Sequence, residues 1–168
     1  MRYLWTGCVA ALGLAADAAA MAPELPVTTF LSTCMSAQAN LEAVRIAAEG
    51  RGFVVALPEH KAKLLRNGAD GDAYAAREAA LVVERGRPMC TLFARSDDPQ
   101  ATRAALAKML PPPTTRFTFE QEDVPGNPEL LRVAYRLKLD GKPYAKWVFS
   151  AYPEDGPFNV AITLQMSR

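Results

Sequence analysis

The sequence has 168 residues, of which 50% are hydrophobic, and its 19 basic and 18 acidic side chains leave a formal charge of +1. So little net charge argues against nucleic acid or an acidic membrane surface as a partner, because such partners usually require a strongly basic balance. A chain of this length supports a single domain with one substantial core.

The first 22 residues have the layout of a secretory signal peptide. One basic residue precedes an apolar stretch, and small residues with Ala-x-Ala spacing then predict cleavage after Ala20 or Ala22. Asp17 interrupts the apolar run before it reaches the about 20 residues that a membrane anchor needs. We therefore predict a signal peptide over 1–22, a single domain over 23–168, a periplasmic or secreted location, and no stable membrane insertion after cleavage.

Two helical patterns follow the predicted cleavage site. In "VTTFLSTCMSAQ" the apolar residues and Cys34 recur at helical spacing, and Thr28 is available to cap the first turn. Asn40 is a suitable N-cap for "LEAVRIAAEG", and Gly50 supplies a C-terminal stop. We predict two short helices that form a hairpin, with Cys34 on an inner face.

The middle of the chain predicts a strand, a hairpin and a helix. "FVVAL" is β-branched and ends at Pro58, whereas the polar, turn-rich stretch that follows predicts at most one helical turn. In "EAALVVERGRPMCTLFARS" two apolar runs flank a turn with glycine and proline, which predicts a hairpin. Asp98 as N-cap and Pro99 at the first helical position begin a helix that the proline triplet at 111–113 ends.

The last third of the chain alternates between apolar and polar residues, as strands do. "TTRFTFEQE" is followed by two longer alternating runs that meet at Asp140 and Gly141, a strong hairpin signal, and "VAITLQM" completes a four-stranded meander. Helices and strands are segregated along the chain, which indicates an α+β domain. We predict a mainly antiparallel sheet of about five to seven strands, with the N-terminal helical hairpin and one further helix packed on one face.

Four roles are open to Cys90, which lies within a predicted buried strand: nucleophile, metal ligand, free core thiol and half of a disulfide. Of the three cysteines one lies in the signal peptide, so the exported chain keeps Cys34 and Cys90. In an oxidising compartment an even pair is most simply a disulfide. No Cys-x-x-Cys or His-x-x-x-His spacing preassembles a metal site, and the adjacent Met35 and Met89 are more simply packing residues than Cu(I) ligands. We predict no metal and no cofactor.

Nothing in the sequence marks a catalytic centre. His60, the single histidine, lies in a polar segment without a nucleophile motif, and there is no Gly-rich phosphate loop, dinucleotide fingerprint or Gly-x-Ser-x-Gly elbow. The acidic groups are interpreted as solvated strand-end or turn residues: Glu120, Glu122 and Asp123, and Glu154 with Asp155. We predict no catalytic residue.

A group of basic residues is the constellation with the clearest functional interpretation. Three of them alternate onto the outward face of one predicted strand, and the hairpin at 140–141 brings two lysines beside them, since cross-strand neighbours lie about 5 Å apart. Like charges that face one another cost stability unless an anion or acidic partner offsets them. The candidate anion or partner site is Arg132, Arg136, Lys138, Lys142 and Lys146. The alternative is an ordinary solvated sheet face.

The signal peptide, "TFLSTC" shortly after it and "CTLFARS" followed by a capped helix resemble small exported proteins of Gram-negative bacteria. The resemblance covers about 27–110, implies a periplasmic domain with a disulfide, and carries no catalytic residue over. The first hypothesis is a binding module for an envelope protein or a small ligand, engaged through an open sheet face or the groove beside it. A hydrolytic enzyme that uses carboxylates and a structural envelope component are the alternatives.

Overall fold

The computed structural model describes residues 21–65, 68–114, 116–124, 131–153 and 156–167. The predicted signal peptide falls almost entirely on residues 1–20, outside this described part. The helical elements are α1 (Glu24–Phe30), a π-helical turn (Leu31–Met35), α2 (Leu41–Glu49), α3 (Pro58–Leu64) and α4 (Pro99–Lys108). The strands are β1 (Val54–Val55), β2 (Gly71–Ala75), β3 (Ala79–Glu84), β4 (Met89–Ala94), β5 (Phe117–Asp123), β6 (Arg132–Leu139), β7 (Lys142–Ala151) and β8 (Val160–Met166). No helix in this part of the chain is long and apolar enough to cross a membrane.

The strands form one sheet in the order β1-β2-β3-β4-β8-β7-β6-β5, and every neighbouring pair is antiparallel. The predicted meander is present as β5 to β8, and it joins the first half of the sheet through the pairing of β4 with β8. The α+β class is confirmed. The expected five to seven strands are too few, because the described residues form eight.

The strand that the sequence pattern misses is β2, within the turn-rich "NGADGDAYA". It has little intrinsic β propensity, but it pairs with β3 from Gly71 to Ala75, so a non-local partner determines its conformation. Gly71 allows the two backbones to approach, since a Cβ there would lie 2.3 Å from the carbonyl oxygen of Val83. The predicted strand "FVVAL" is correspondingly short, because only Val54 and Val55 pair with β2.

The predicted helical hairpin is not what the structure contains. α1 begins at Glu24, before the expected cap at Thr28. Pro26 is tolerated within it because proline lies in the first turn, where a backbone N–H has no intrahelical partner. α1 continues into the π-helical turn, and Gln38 and Ala39 then take positive φ values of 49° and 53°. Asn40 caps α2 as predicted. α2 packs against the π-helical turn and against β3.

The other two helices differ in how far the sequence predicts them. In α4 the side chain of Asp98 accepts a hydrogen bond from the Ala101 N–H at 2.9 Å, as expected of an N-cap. α3 is longer than the single predicted turn, since Pro58 occupies its first position. α1 and α4 pack together, and α1 and α2 contact the central strands β4 and β3. α1, α2 and α4 therefore cover one side of the sheet, which is called the helix-packed face.

The main core lies between the helices and this face. Its fully buried side chains include Phe30, Trp147, Phe149, Leu81, Leu92, Ile162 and Leu164. The rings of Phe30 and Trp147 meet edge to face, with centroids 5.6 Å apart. Trp147 is 2% exposed, and its Nε1–H has no hydrogen-bond acceptor among the described residues. The core also contains the buried side chains of Tyr74 and Tyr135, so it is mainly but not entirely apolar.

Cys34 and Cys90, for which the sequence predicts a disulfide, lie at bonding distance. Their Sγ atoms are 2.00 Å apart and their Cα atoms 5.4 Å apart. Both side chains are fully buried. The disulfide links the π-helical turn to the central strand β4, so it fastens the helical layer to the sheet.

Candidate functional site

The face of the sheet opposite the main core, here called the second face, is the candidate site. Directly paired residues of neighbouring strands lie on the same face, so the strand register defines rows that cross the sheet. The middle row consists of Ala73, Val82, Thr91, Thr163, Val148, Ala134 and Glu122. Apart from the last member, these side chains are small. They form a low floor along the centre of the face.

Two features shape this floor, one at its β2–β3 side and one near its centre. At the β2–β3 side, α3 and the residue after it cover the sheet, where Leu64 and Leu65 pack against Ala73 and Val82. Near the centre, the hydroxyl oxygens of Thr91 and Thr163 are 3.0 Å apart. A cavity of about 260 Å³ lies over this part of the face. The second face is therefore covered at one side and has a shallow cavity over its centre.

A charged row borders the floor. It consists of Glu84, Met89, Gln165, Lys146, Arg136 and Glu120 in register order. A cavity of about 880 Å³ lies beside it, lined by both cations and by Glu120. Lys146 is directly opposite Arg136, as the predicted basic constellation requires. The row carries charges of both signs, so it is suited to a polar or charged ligand.

Glu122 offsets the repulsion between these two cations. One of its carboxylate oxygens lies 2.5 Å from Lys146 Nζ, and the other lies 2.7 Å from Arg136 Nη2. Glu122 pairs in register with Ala134, whose short side chain leaves space for the carboxylate between the strands. The hydrogen bond from Lys146, aided by Arg136, lowers the pKa of Glu122 below its ordinary value. The acidic partner that the like charges require therefore comes from the chain itself.

We expect the contribution of Glu122 to stability to depend on pH. Because the folded-state pKa is lowered, the stabilisation is present above the ordinary pKa of 4.5 and is lost as the pH falls through the folded-state value. Glu122→Gln is therefore expected to lower Tm at pH 7, and the difference from wild type should shrink towards about pH 3. Thermal unfolding followed by circular dichroism at several pH values measures this difference. A Tm difference that is independent of pH would contradict the role assigned to the carboxylate.

Two further residues of the predicted basic group lie on the second face with partners of their own. Arg132 Nε donates a hydrogen bond to Ser150 Oγ at 3.3 Å. Lys138 Nζ lies 2.5 Å from Glu120 Oε1. Glu120 is thus a residue within β5 with a cationic partner, whereas Glu122 lies near the end of that strand, as the strand-end interpretation expects.

Lys142 does not join the group. β7 contains one unpaired extra residue, Tyr144, which forms a β-bulge and changes the alternation of the strand. Lys142 consequently pairs with Leu139 on the helix-packed side, whereas Lys146 pairs with Arg136 on the second face. In a regular strand, two lysines four residues apart would share a face. The expectation that both lysines lie beside Arg136 therefore fails at the bulge.

The remaining residues weighed for chemistry are separate from this row. His60 is exposed on α3. Glu154 and Asp155 lie outside the described residues, as does the side chain of Asp123. Within the described ranges no group of three or more His, Cys, Asp or Glu side chains could hold a metal ion. The charged row and the floor beside it therefore form the candidate site.

No protein-family model, curated protein or solved structure matches the chain. The resemblance to small exported proteins therefore stays a prediction that rests on the two quoted motifs. Any inference about function has to come from the second face itself.

The pairing of two acidic residues with the basic group was missed by sequence reasoning, although the sequence contained a signal for it. In "TTRFTFEQE", Glu120 and Glu122 alternate with the phenylalanines, so they fall on the polar side of β5. The polar side of the next strand carries Arg136 and Lys138. Matching the two alternations places the acidic and basic residues on one face. The floor of small side chains had no comparable signal, because its residues come from strands far apart in the chain.

Proposed function

We propose that the chain is an exported binding module that holds an envelope protein or a small ligand on the second face of its sheet. The observation that carries this proposal is the row of small side chains beside the charged row. Small residues at the centre of a sheet leave room for a ligand, and mixed charges along one border orient it. The cavities of about 260 and 880 Å³ above these rows support the same proposal.

Binding is favoured over hydrolysis because of the state of the carboxylates. A general acid needs a carboxyl group whose pKa is raised towards the working pH. Lys146 and Arg136 instead lower the pKa of Glu122, which favours its ionised form. Glu120 is likewise engaged by Lys138. Carboxylates that are paired with cations suit recognition by charge better than proton transfer.

Export is supported by the cysteine pair. Disulfides persist in oxidising compartments and are rare in the cytoplasm. The Cys34–Cys90 disulfide is buried and joins two layers of the fold, so it is a structural rather than a reactive pair. This disulfide and the signal-peptide pattern of residues 1–22 together support the proposed periplasmic or secreted location.

The first test is the intact mass of the protein purified from the periplasm, measured under native conditions and after denaturation with and without reduction. The proposal expects a processed chain that gains two hydrogens on reduction and carries additional native mass. The same cells treated with a crosslinker before lysis would retain a partner that dissociates during purification. A chain that carries no additional mass and forms no crosslinked species would contradict the proposal.

Two lysines of one strand provide a matched pair of variants. Lys146→Glu reverses a charge in the charged row, whereas Lys142→Glu makes the same change four residues away on the helix-packed side. We expect Lys146→Glu to reduce the bound fraction of cargo or crosslinked partner at least about tenfold at low salt, and Lys142→Glu to leave it unchanged. Both variants should keep Tm within about 5 °C of wild type, since surface ion pairs contribute little to stability. Equal binding by the two variants would argue against the second face as the binding surface.

A further inference from the structure

A further apolar cavity lies where α3 crosses the edge of the second face, away from the charged row; it shares Leu64 and Phe93 with the cavity of about 260 Å³. It has a volume of about 610 Å³, within the range of about 300–1,000 Å³ that small-molecule sites occupy. Leu64 of α3 and the rings of Phe93 and Phe158 form its walls, and alanines of β2 and β3 contribute to its lining. The lining is thus mostly apolar, as in sites that bury the hydrocarbon part of a ligand.

The wall that carries Phe158 is held in place by hydrogen bonds. Asn159 is buried, accepts a hydrogen bond from the Ser96 N–H at 2.7 Å and donates one to the Ser96 carbonyl at 2.8 Å. Arg95 Nη1 donates to the Gly156 carbonyl at 2.9 Å. The rings of Phe93 and Phe158 lie 6.1 Å apart. These contacts lie within the chain and fix the wall, so little ordering is needed when a ligand binds.

The polar groups at this cavity have basic character. Its described lining residues include His60 and Lys63 of α3 and no carboxylate. Lys63 has no ion-pair partner within the described residues, whereas Lys61, two positions earlier, lies 3.4 Å from Asp72. An ammonium that has no ion-pair partner in the described part of the chain and lies beside an apolar cavity is complementary to a ligand with a hydrocarbon body and one negative charge.

We propose that this cavity binds a single-chain amphiphile with a carboxylate, such as a medium-chain fatty acid. The acyl chain lies against Phe93, Phe158 and Leu64, and the carboxylate faces Lys63 and His60. The cavity accommodates one chain of moderate length, which favours a free acid over a two-chain lipid. This inference goes beyond the proposed function, because it concerns a different cavity and different side chains from those of the charged row.

Isothermal titration with decanoate, below its critical micelle concentration, tests the proposal on the processed, disulfide-bonded chain. We expect binding of one decanoate per chain, weaker binding of decanol and no binding of decyltrimethylammonium. Lys63→Gln should weaken decanoate binding about fivefold, and Lys61→Gln, the matched control, should leave it unchanged. Phe158→Ala, checked for folding by circular dichroism, should weaken it at least about tenfold.

Three outcomes would overturn the proposal: no binding of decanoate, equal binding of decanoate and decanol by the wild type, or equal binding by wild type and Phe158→Ala. The variant Lys146→Glu distinguishes binding at the apolar cavity from binding beside the charged row, because Lys146 lines only the latter of these two cavities. Unchanged decanoate binding by this variant is expected even if the charged row has no partner at all. A loss equal to that of Lys63→Gln would place the fatty acid at the charged row and refute the assignment to the apolar cavity.

Discussion

Loss of the Cys34–Cys90 disulfide is expected to lower the free energy of unfolding by about 4 kcal/mol. The two cysteines are separated by 56 positions, and a crosslink over such a loop restricts the unfolded chain considerably. Domains of this size have a total stability of about 5–15 kcal/mol, so the disulfide supplies a large share of it. The fold should persist in an oxidising compartment and be marginal in a reducing one.

Urea unfolding of the wild type and of Cys34→Ala/Cys90→Ala, followed by circular dichroism, measures this loss. Because both sulfurs are fully buried, a reductant will reach them slowly in the folded protein, and the double variant avoids that problem. Addition of reductant to the double variant is the control, and it should change nothing. A double variant within about 1 kcal/mol of wild type would show that the disulfide does not hold the helical layer on the sheet.

Trp147→Ala is expected to destabilise the fold by about 3–5 kcal/mol, the usual cost of truncating a buried aromatic residue. Trp147 is a fully buried side chain and packs edge to face against Phe30 of α1. Its removal would leave a cavity between the sheet and α1, which the surrounding residues can fill only in part.

Trp147→Phe tests a second property of the same site. The indole Nε1–H lacks an acceptor among the described residues, and a buried unpaired donor costs stability. Phenylalanine keeps a ring against Phe30 and removes that donor, so this variant should lose much less than Trp147→Ala. Urea unfolding by circular dichroism compares the three proteins. A loss as large for Trp147→Phe as for Trp147→Ala would contradict this account of the indole group.

The elements that the sequence predicts well have local signals. Asp98 and Pro99 mark the start of α4, and Asp140 with Gly141 marks the turn between β6 and β7. These residues act on the backbone within a few positions of themselves, by capping or by turn geometry. Their effect can therefore be read without knowing the rest of the fold.

The elements that the sequence does not predict depend on distant partners. β2 becomes a strand because β3 is beside it, although its own residues favour turns. The bulge at Tyr144 reverses the face of Lys142, and no spacing rule reveals an extra residue in one strand. The pairing of Phe93 with Phe158 depends on the adjacency of β4 and β8. Alternation within the strands was enough to place Glu120, Arg136 and Lys146 of the charged row on one face. The residues that line the apolar cavity had no such signal, because they come from distant parts of the chain.

The position of the last strand has a consequence for the biogenesis of the protein. β8 is the last of the described strands in sequence order, yet it lies at the centre of the sheet, paired with β4 on one side and β7 on the other. Among the described strands only β8 connects the two halves of the sheet, so these halves cannot join before Val160–Met166 pairs with both. Contacts of such long sequence separation also form slowly. Docking of β8 is therefore the step that completes the sheet, and until then β4 and β7 each present an unpaired edge.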